Sequence, residues 1–244
     1  MAANVQDAIM LFGDSLTQAG WEEGGFGARL QHVYSRKLDV LNRGFSGYNT
    51  EWAIPVLEQC LANQYDQQHV PKIRLLVVWF GANDACIGPS PQHVPLPKFI
   101  ENLKHIIILI TPPPVNTYQR AADLNGRDPS LALDRMFETT KEYAEGVKAA
   151  AAASKVSVVD VWTAIWKAAG EREEGLSKYL WDGLHINADG YMVVYEALIE
   201  TIKVKHHSLH YENLQPVFPP FVAFFLLSSL VDFLDRWTQV NQVK

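Results

Sequence analysis

A chain of 244 residues, 48% hydrophobic and 20% charged, is long enough to bury one sizeable core and has the composition of an ordinary globular protein. Its net charge of −6, without a basic run or an internal repeat, removes the electrostatic case for nucleic acid or an anionic membrane as partner. Two cysteines, Cys60 and Cys86, are too few for a disulfide framework and suit a reducing compartment. The first strand begins almost at the amino terminus, which leaves no room for a signal-peptide core, and there is no Asn-x-Ser/Thr acceptor; the expected location is cytoplasmic.

In chain order, Ile9 to Phe12 reads as a short buried strand that Gly13 and Asp14 stop, and Ser15 sits where the chain turns into a helix. A glycine-rich loop from Trp21 to Gly27 leads to a helix, Phe26 to Lys37, with apolar residues at Leu30, Val33 and Tyr34. Leu38 to Leu41 is a second strand, followed by the run Asn42 to Thr50, in which Thr50 is placed to cap a helix ending near Ala62. Lys72 to Phe80 is the strongest strand and stops at Gly81-Ala82-Asn83-Asp84. A proline-rich loop, Pro89 to Pro97, precedes a helix to about His105, and Ile106 to Ile110 reads as the fourth strand. Helix and strand meet at Lys104-His105 without the turn residues that such a connection needs. Pro112 to Pro129 has little periodicity and reads as a long loop, with Ser130 to Ala153 as the longest helix. Lys155 to Val159 is the fifth strand, a short helix lies near Ala164 to Ala169, and Asn187 caps a final helix from Ala188 to about Lys203.

Strands alternating with helices imply an α/β fold: a three-layer α/β/α sandwich on a five-stranded parallel sheet, flavodoxin-like, with order 2-1-3-4-5. Residues 1–205 form this domain and 206–244 a carboxyl-terminal extension. Within the extension Phe221 to Leu230 is strongly apolar but shorter than the roughly 20 residues a spanning helix needs. No transmembrane segment is expected; the extension packs on the domain or forms a homo-oligomer contact.

In a parallel sheet the ends of strands one, two and three share one rim, which brings Ser15, Gly47 and Asn83 together. The tight loop Asp182-Gly183-Leu184-His185 follows the last strand and can fold over the same rim. A serine nucleophile needs a histidine to take its proton, a carboxylate to hold the histidine tautomer, and donors aimed at the developing oxyanion. Taken singly, Asp14 and Ser15 are cap residues and Asp182-Gly183 a turn; taken together, the set favours catalysis.

Gly-Asp-Ser-Leu-Thr at 13–17, Gly47 in Ser-Gly-Tyr-Asn-Thr, Gly-Ala-Asn-Asp at 81–84 and Asp-Gly-Leu-His at 182–185 resemble, in order, the blocks of the SGNH (GDSL) hydrolases. Within that family, Trp-Phe-Gly-Ala-Asn-Asp-Ala, Ile-Thr-Pro-Pro-Pro and Asp-Gly-Leu-His-Ile-Asn resemble the isoamyl acetate-hydrolysing esterases, over about residues 8 to 203. The resemblance implies that Ser15 attacks the acyl carbon, His185 serves as base and then acid, and Asp182 orients His185. It implies an oxyanion hole from the backbone N–H groups of Ser15 and Gly47 and the amide of Asn83. Neither a cofactor nor a metal is implied, and the partner is a small-molecule ester. An acyltransferase or a sugar or lipid deacetylase on the same residues, and a non-catalytic binding protein on the same fold, are the alternatives.

Other polar residues have structural readings. Asp14 positions the serine, Asp84 ties down its own loop, Asp160 caps the following helix, and Cys86 is a packing residue. His206, His207 and His210 suit the end of the last helix better than a metal site, and Trp79, Trp162 and Trp181 are core or pocket wall.

Overall fold

The computed structural model describes residues 6–62, 71–103 and 108–217. The junction at Lys104-His105 and the apolar stretch Phe221 to Leu230 lie outside them. Five strands, β1 (Ala8–Gly13), β2 (Asp39–Gly44), β3 (Ile73–Trp79), β4 (Ile108–Ile110) and β5 (Ser157–Val159), pair in parallel in the order β2-β1-β3-β4-β5. Eight α-helices among the described residues surround the sheet: α1 (Ser15–Gln18), α2 (Phe26–Tyr34), α3 (Thr50–Ala62), α4 (Leu96–Asn102), α5 (Thr117–Arg127), α6 (Phe137–Ser154), α7 (Val161–Ala168) and α8 (Ala188–Lys205). The expected sandwich and strand order are therefore present.

Successive side chains point to opposite faces and both faces are covered, so β1 and the part of β3 beyond Arg74 read as apolar runs. Ile9 and Leu11, with Leu75, Val77 and Trp79, enter one core with Leu30 and Tyr34 of α2 and Val194, Leu198 and Ile202 of α8. Met10 and Phe12, with Leu76 and Val78, enter the other with Phe99 of α4 and Tyr143, Val147 and Ala150 of α6. Gly13 at the end of β1 is in register with Gly44 of β2 and Trp79 of β3. The segments after these three strands consequently leave the sheet at one rim.

Several boundaries differ from the sequence reading. The stretch from Pro112 to Pro129 is not a loop throughout: Asn116 Oδ1 accepts from Gln119 N at 3.0 Å and starts the eleven-residue helix α5. Its buried residues are Arg120 and Leu124, so it lacks the apolar stripe that marks a surface helix. Helix α6 starts at Phe137 rather than Ser130, because Asp134 and Arg135 are drawn into contacts with α5 and the β3 loop. Asn49, not Thr50, caps α3, accepting from Trp52 N at 3.0 Å. Thr50 instead donates to Asp84 from both its N–H and its hydroxyl, so Asp84 ties α3 to the β3 loop and not only its own loop. Asp160 and Asn187 cap α7 and α8 as the sequence suggests. Residues 206–217 lie along the end of α2, where the Tyr34 hydroxyl donates to Leu209 O at 2.9 Å and Val217 N to Arg36 O at 2.7 Å.

Candidate active site

Ser15 is the first residue of α1 because Asp14 caps that short helix. The Asp14 backbone is extended (φ −91°, ψ −150°) and its Oδ1 accepts from Leu16 N at 3.0 Å. Asp14 is fully buried, and its Oδ2 has no hydrogen-bond partner among the described residues. Burial pushes its carboxyl up to about 7 against the Leu16 N–H bond, and the neighbouring Asp84, itself raised to about 6 by burial, adds to the rise. The charges of His185 and Arg135 act on Asp14 in the opposite sense, so the β1 corner, the 182–185 loop and the segment before α6 share one electrostatic neighbourhood. Ser15 itself is half-buried. Among the described residues, neither its hydroxyl nor its N–H makes a hydrogen bond, including to His185. Catalytic contacts are often this loose before substrate arrives.

Gly47 has φ +81°, a left-handed conformation that glycine adopts without strain. Gln92 Nε2 donates to Gly47 O at 2.8 Å and anchors the turn, while the Gly47 N–H has no partner among the described residues. Asn83 is buried, and its amide orientation is dictated by its neighbours. A guanidinium only donates, so Arg135 Nη2 at 3.1 Å must face Oδ1. Asn83 Nδ2 then spends one proton on Tyr48 O at 2.8 Å and keeps the second.

Asp182 and His185 are directly joined. Asp182 Oδ1 accepts from the N–H groups of Leu184 at 3.0 Å and His185 at 2.7 Å, and Oδ2 accepts from His185 Nδ1 at 2.8 Å. Burial raises the Asp182 carboxyl, but the ring and backbone bonds of His185 outweigh it and bring the pKa down to about 2. A carboxylate on Nδ1 fixes the proton there and leaves Nε2 as the acceptor. Trp181, 59% exposed, stacks on the His185 ring at 5.3 Å and 15°, so it covers the imidazole rather than lying in the core. Trp79 and Trp162 are buried. The loop is docked through Gly183 (φ +83°), whose carbonyl accepts from Asn116 N at 2.9 Å.

Four polar residues at the site escaped the sequence reading: Gln92, Arg120, Asp134 and Arg135. Arg120 Nη1 donates to Asp182 Oδ2 at 3.1 Å, and its Nε and Nη2 grip Asp134 at 2.9 and 2.8 Å. Arg135 Nη1 lies 3.0 Å from Asp134, and its Nε donates to Ala82 O at 2.6 Å. No local sequence signal marks them, because each bonds to a partner distant along the chain. The three late histidines do not converge: His206 contacts Ser157 at 3.0 Å and His210 is buried. Among the described residues no cluster of three His, Cys, Asp or Glu could hold a metal ion, and no helix is long and apolar enough to cross a membrane.

A five-stranded parallel sheet with a serine, a glycine turn, an asparagine and an Asp-His loop on one rim defines the class as a carboxylic ester hydrolase, and known proteins agree. The lipase/acylhydrolase from Enterococcus faecalis superposes with a TM-score of 0.59 at 25% identity, over 86% of this chain and 98% of that one. The family model described as GDSL-like lipase/acylhydrolase matches residues 11–193, and the chain belongs to that family. A GDSL esterase/lipase of Arabidopsis thaliana is 36% identical over 211 residues, 80% of this chain and 85% of the relative. The human isoamyl acetate-hydrolyzing esterase 1 homolog is 34% identical over 218 residues, 82% of this chain and 83% of the relative.

Proposed function

We propose that this esterase hydrolyses short-chain, acetate-type carboxylic esters through a Ser15–His185–Asp182 triad and an acyl-enzyme. The observation that carries the reading is the buried Asp182 carboxylate on His185 Nδ1 at 2.8 Å. His185 Nε2 takes the Ser15 proton as Oγ bonds to the acyl carbon, and the carbonyl oxygen becomes an oxyanion. The uncommitted N–H groups of Ser15 and Gly47 and the spare Asn83 proton are the donors for that charge. His185 then returns the proton to the departing alkoxide, which leaves as the alcohol. Water, deprotonated by the same ring, attacks the acyl-Ser15 ester; the Oγ–acyl bond breaks, the acid leaves, and His185 returns the proton to Ser15 Oγ.

Acetate preference is supported by the likeness to the human isoamyl acetate-hydrolyzing esterase 1 homolog, at 34% identity. The free Cys60 and Cys86 fit our reading of a cytoplasmic enzyme. Nitrophenyl esters of increasing acyl length, assayed with wild type and Ser15→Ala, test the proposal. Acetate is expected to be cleaved with the highest kcat/KM, and Ser15→Ala to lose about 10⁴-fold or more. Activity retained in a folded Ser15→Ala protein overturns the triad, and a preference for long acyl chains overturns the substrate class.

A further inference from the structure

Arg120 is a buried cation that the steps of the triad chemistry do not themselves use. It comes from α5, 62 positions before Asp182, and its side chain is buried. Its Nη1 shares Asp182 Oδ2 with His185 Nδ1, at 3.1 and 2.8 Å. Its other edge grips Asp134, which also pairs with Arg135, which in turn orients Asn83. One chain of charged contacts thus runs from the acid–base pair to the oxyanion donor: His185, Asp182, Arg120, Asp134, Arg135, Asn83. Leaving a guanidinium and its carboxylates buried for packing alone is expensive, since apolar residues of similar volume do that at no electrostatic cost.

We propose that Arg120 is a positioning residue that sets the basicity of His185, by drawing on the same carboxylate oxygen, and links that pair to the Asn83 amide through Asp134 and Arg135. This rests on the triad reading above. A carboxylate alone on Nδ1 favours a positive ring; a cation sharing the same oxygen opposes that attraction, so the guanidinium and the carboxylate act on the imidazole in opposite senses. The charged groups around His185 come from three directions. Asp14, with Asp84 behind it, faces it from the β1 and β3 corners; Arg120, Asp123 and Arg127 belong to α5; Asp134 and Arg135 precede α6. Arg127, at 3.6 Å from Asp182 Oδ2, is half exposed and screened by water, which leaves Arg120 as the buried cation on that oxygen.

The test is the pH profile of kcat/KM for nitrophenyl acetate, whose acid limb reports the free enzyme's essential base. Arg120→Met is expected to move that limb up by about one pH unit and to lower the plateau about tenfold. Arg120→Lys keeps the charge and holds the limb near wild type. Asp134→Asn removes a negative charge from the same chain and moves the limb down, a result available even where Arg120→Met does not fold. Opposite shifts cannot come from loosened packing. An acid limb at the wild-type position in folded Arg120→Met, or an upward shift in Asp134→Asn, overturns the proposal while leaving the triad intact. Retention of activity in Ser15→Ala overturns the triad and the proposal together.

Discussion

Arg135 Nη2 stands 3.1 Å from Asn83 Oδ1, and that bond decides which end of the amide is free to donate. Reversed, Asn83 would present an acceptor to a developing negative charge. Asn83→Ala is expected to lower kcat about 10²- to 10³-fold with KM little changed, the usual effect of losing one oxyanion donor. Arg135→Gln removes the constraint without removing the amide, and kcat falls by a smaller factor. Because Arg135 acts through Asn83, the double variant is expected to be no slower than Asn83→Ala. Additive losses in that double-mutant cycle would show that Arg135 acts independently.

Asp14 makes stability depend on pH. Its folded pKa of about 7 lies above the ordinary aspartate value of 3.8, so between the two the native state holds a proton that the unfolded chain has released. Stability from this group is complete below pH 3.8 and is lost as pH rises to about 7, by about 4 kcal/mol in total. Asp84, raised to about 6, adds to the loss, whereas Asp182, held at about 2, gains its contribution below pH 4 and is constant above it. Urea midpoints measured from pH 4 to 8 are expected to fall with rising pH, and Asp14→Asn to flatten much of that slope. An unchanged slope in the variant would assign the dependence elsewhere.

Two glycines with nearly equal φ should respond differently to alanine. At Gly47 a Cβ meets only Gln92 Nε2, 3.5 Å away, so Gly47→Ala carries the left-handed backbone penalty of about 1–2 kcal/mol. At Gly183 a Cβ would collide with Arg120 N and lie 2.7 Å from Asn116 O, both backbone. Gly183→Ala is expected to cost about 3 kcal/mol or more and to displace Asp182 with its loop. Urea titration of both variants checks the order; equal losses would mean that the 182–185 loop is not pinned to α5 as described.

The strands were legible in the sequence because β1 and, beyond Arg74, β3 are covered on both faces, which leaves no polar position there to break the apolar run. The four candidate blocks were legible because each keeps its residue types side by side, among them a cap before the serine, a glycine at the turn and a carboxylate three positions before the histidine. Helix α5 was not legible, because the face it buries carries Arg120, and hydrophobic periodicity cannot register a helix held by ion pairs. Arg135 and Asn83 lie 52 positions apart, and nothing in their local sequence specifies the partner. The start of α6 was misplaced for the same reason: Asp134 and Arg135 serve long-range contacts rather than the helix that follows.

The proposed ester hydrolysis depends on Ser15 being a nucleophile activated by His185. Reaction with a nitrophenyl organophosphonate, followed by peptide mass spectrometry, reads this directly. A single adduct on Ser15, formed in step with loss of esterase activity and at least about 10³-fold more slowly in His185→Ala, is the expected result. An adduct on another residue, or complete inactivation with Ser15 unmodified, would contradict it.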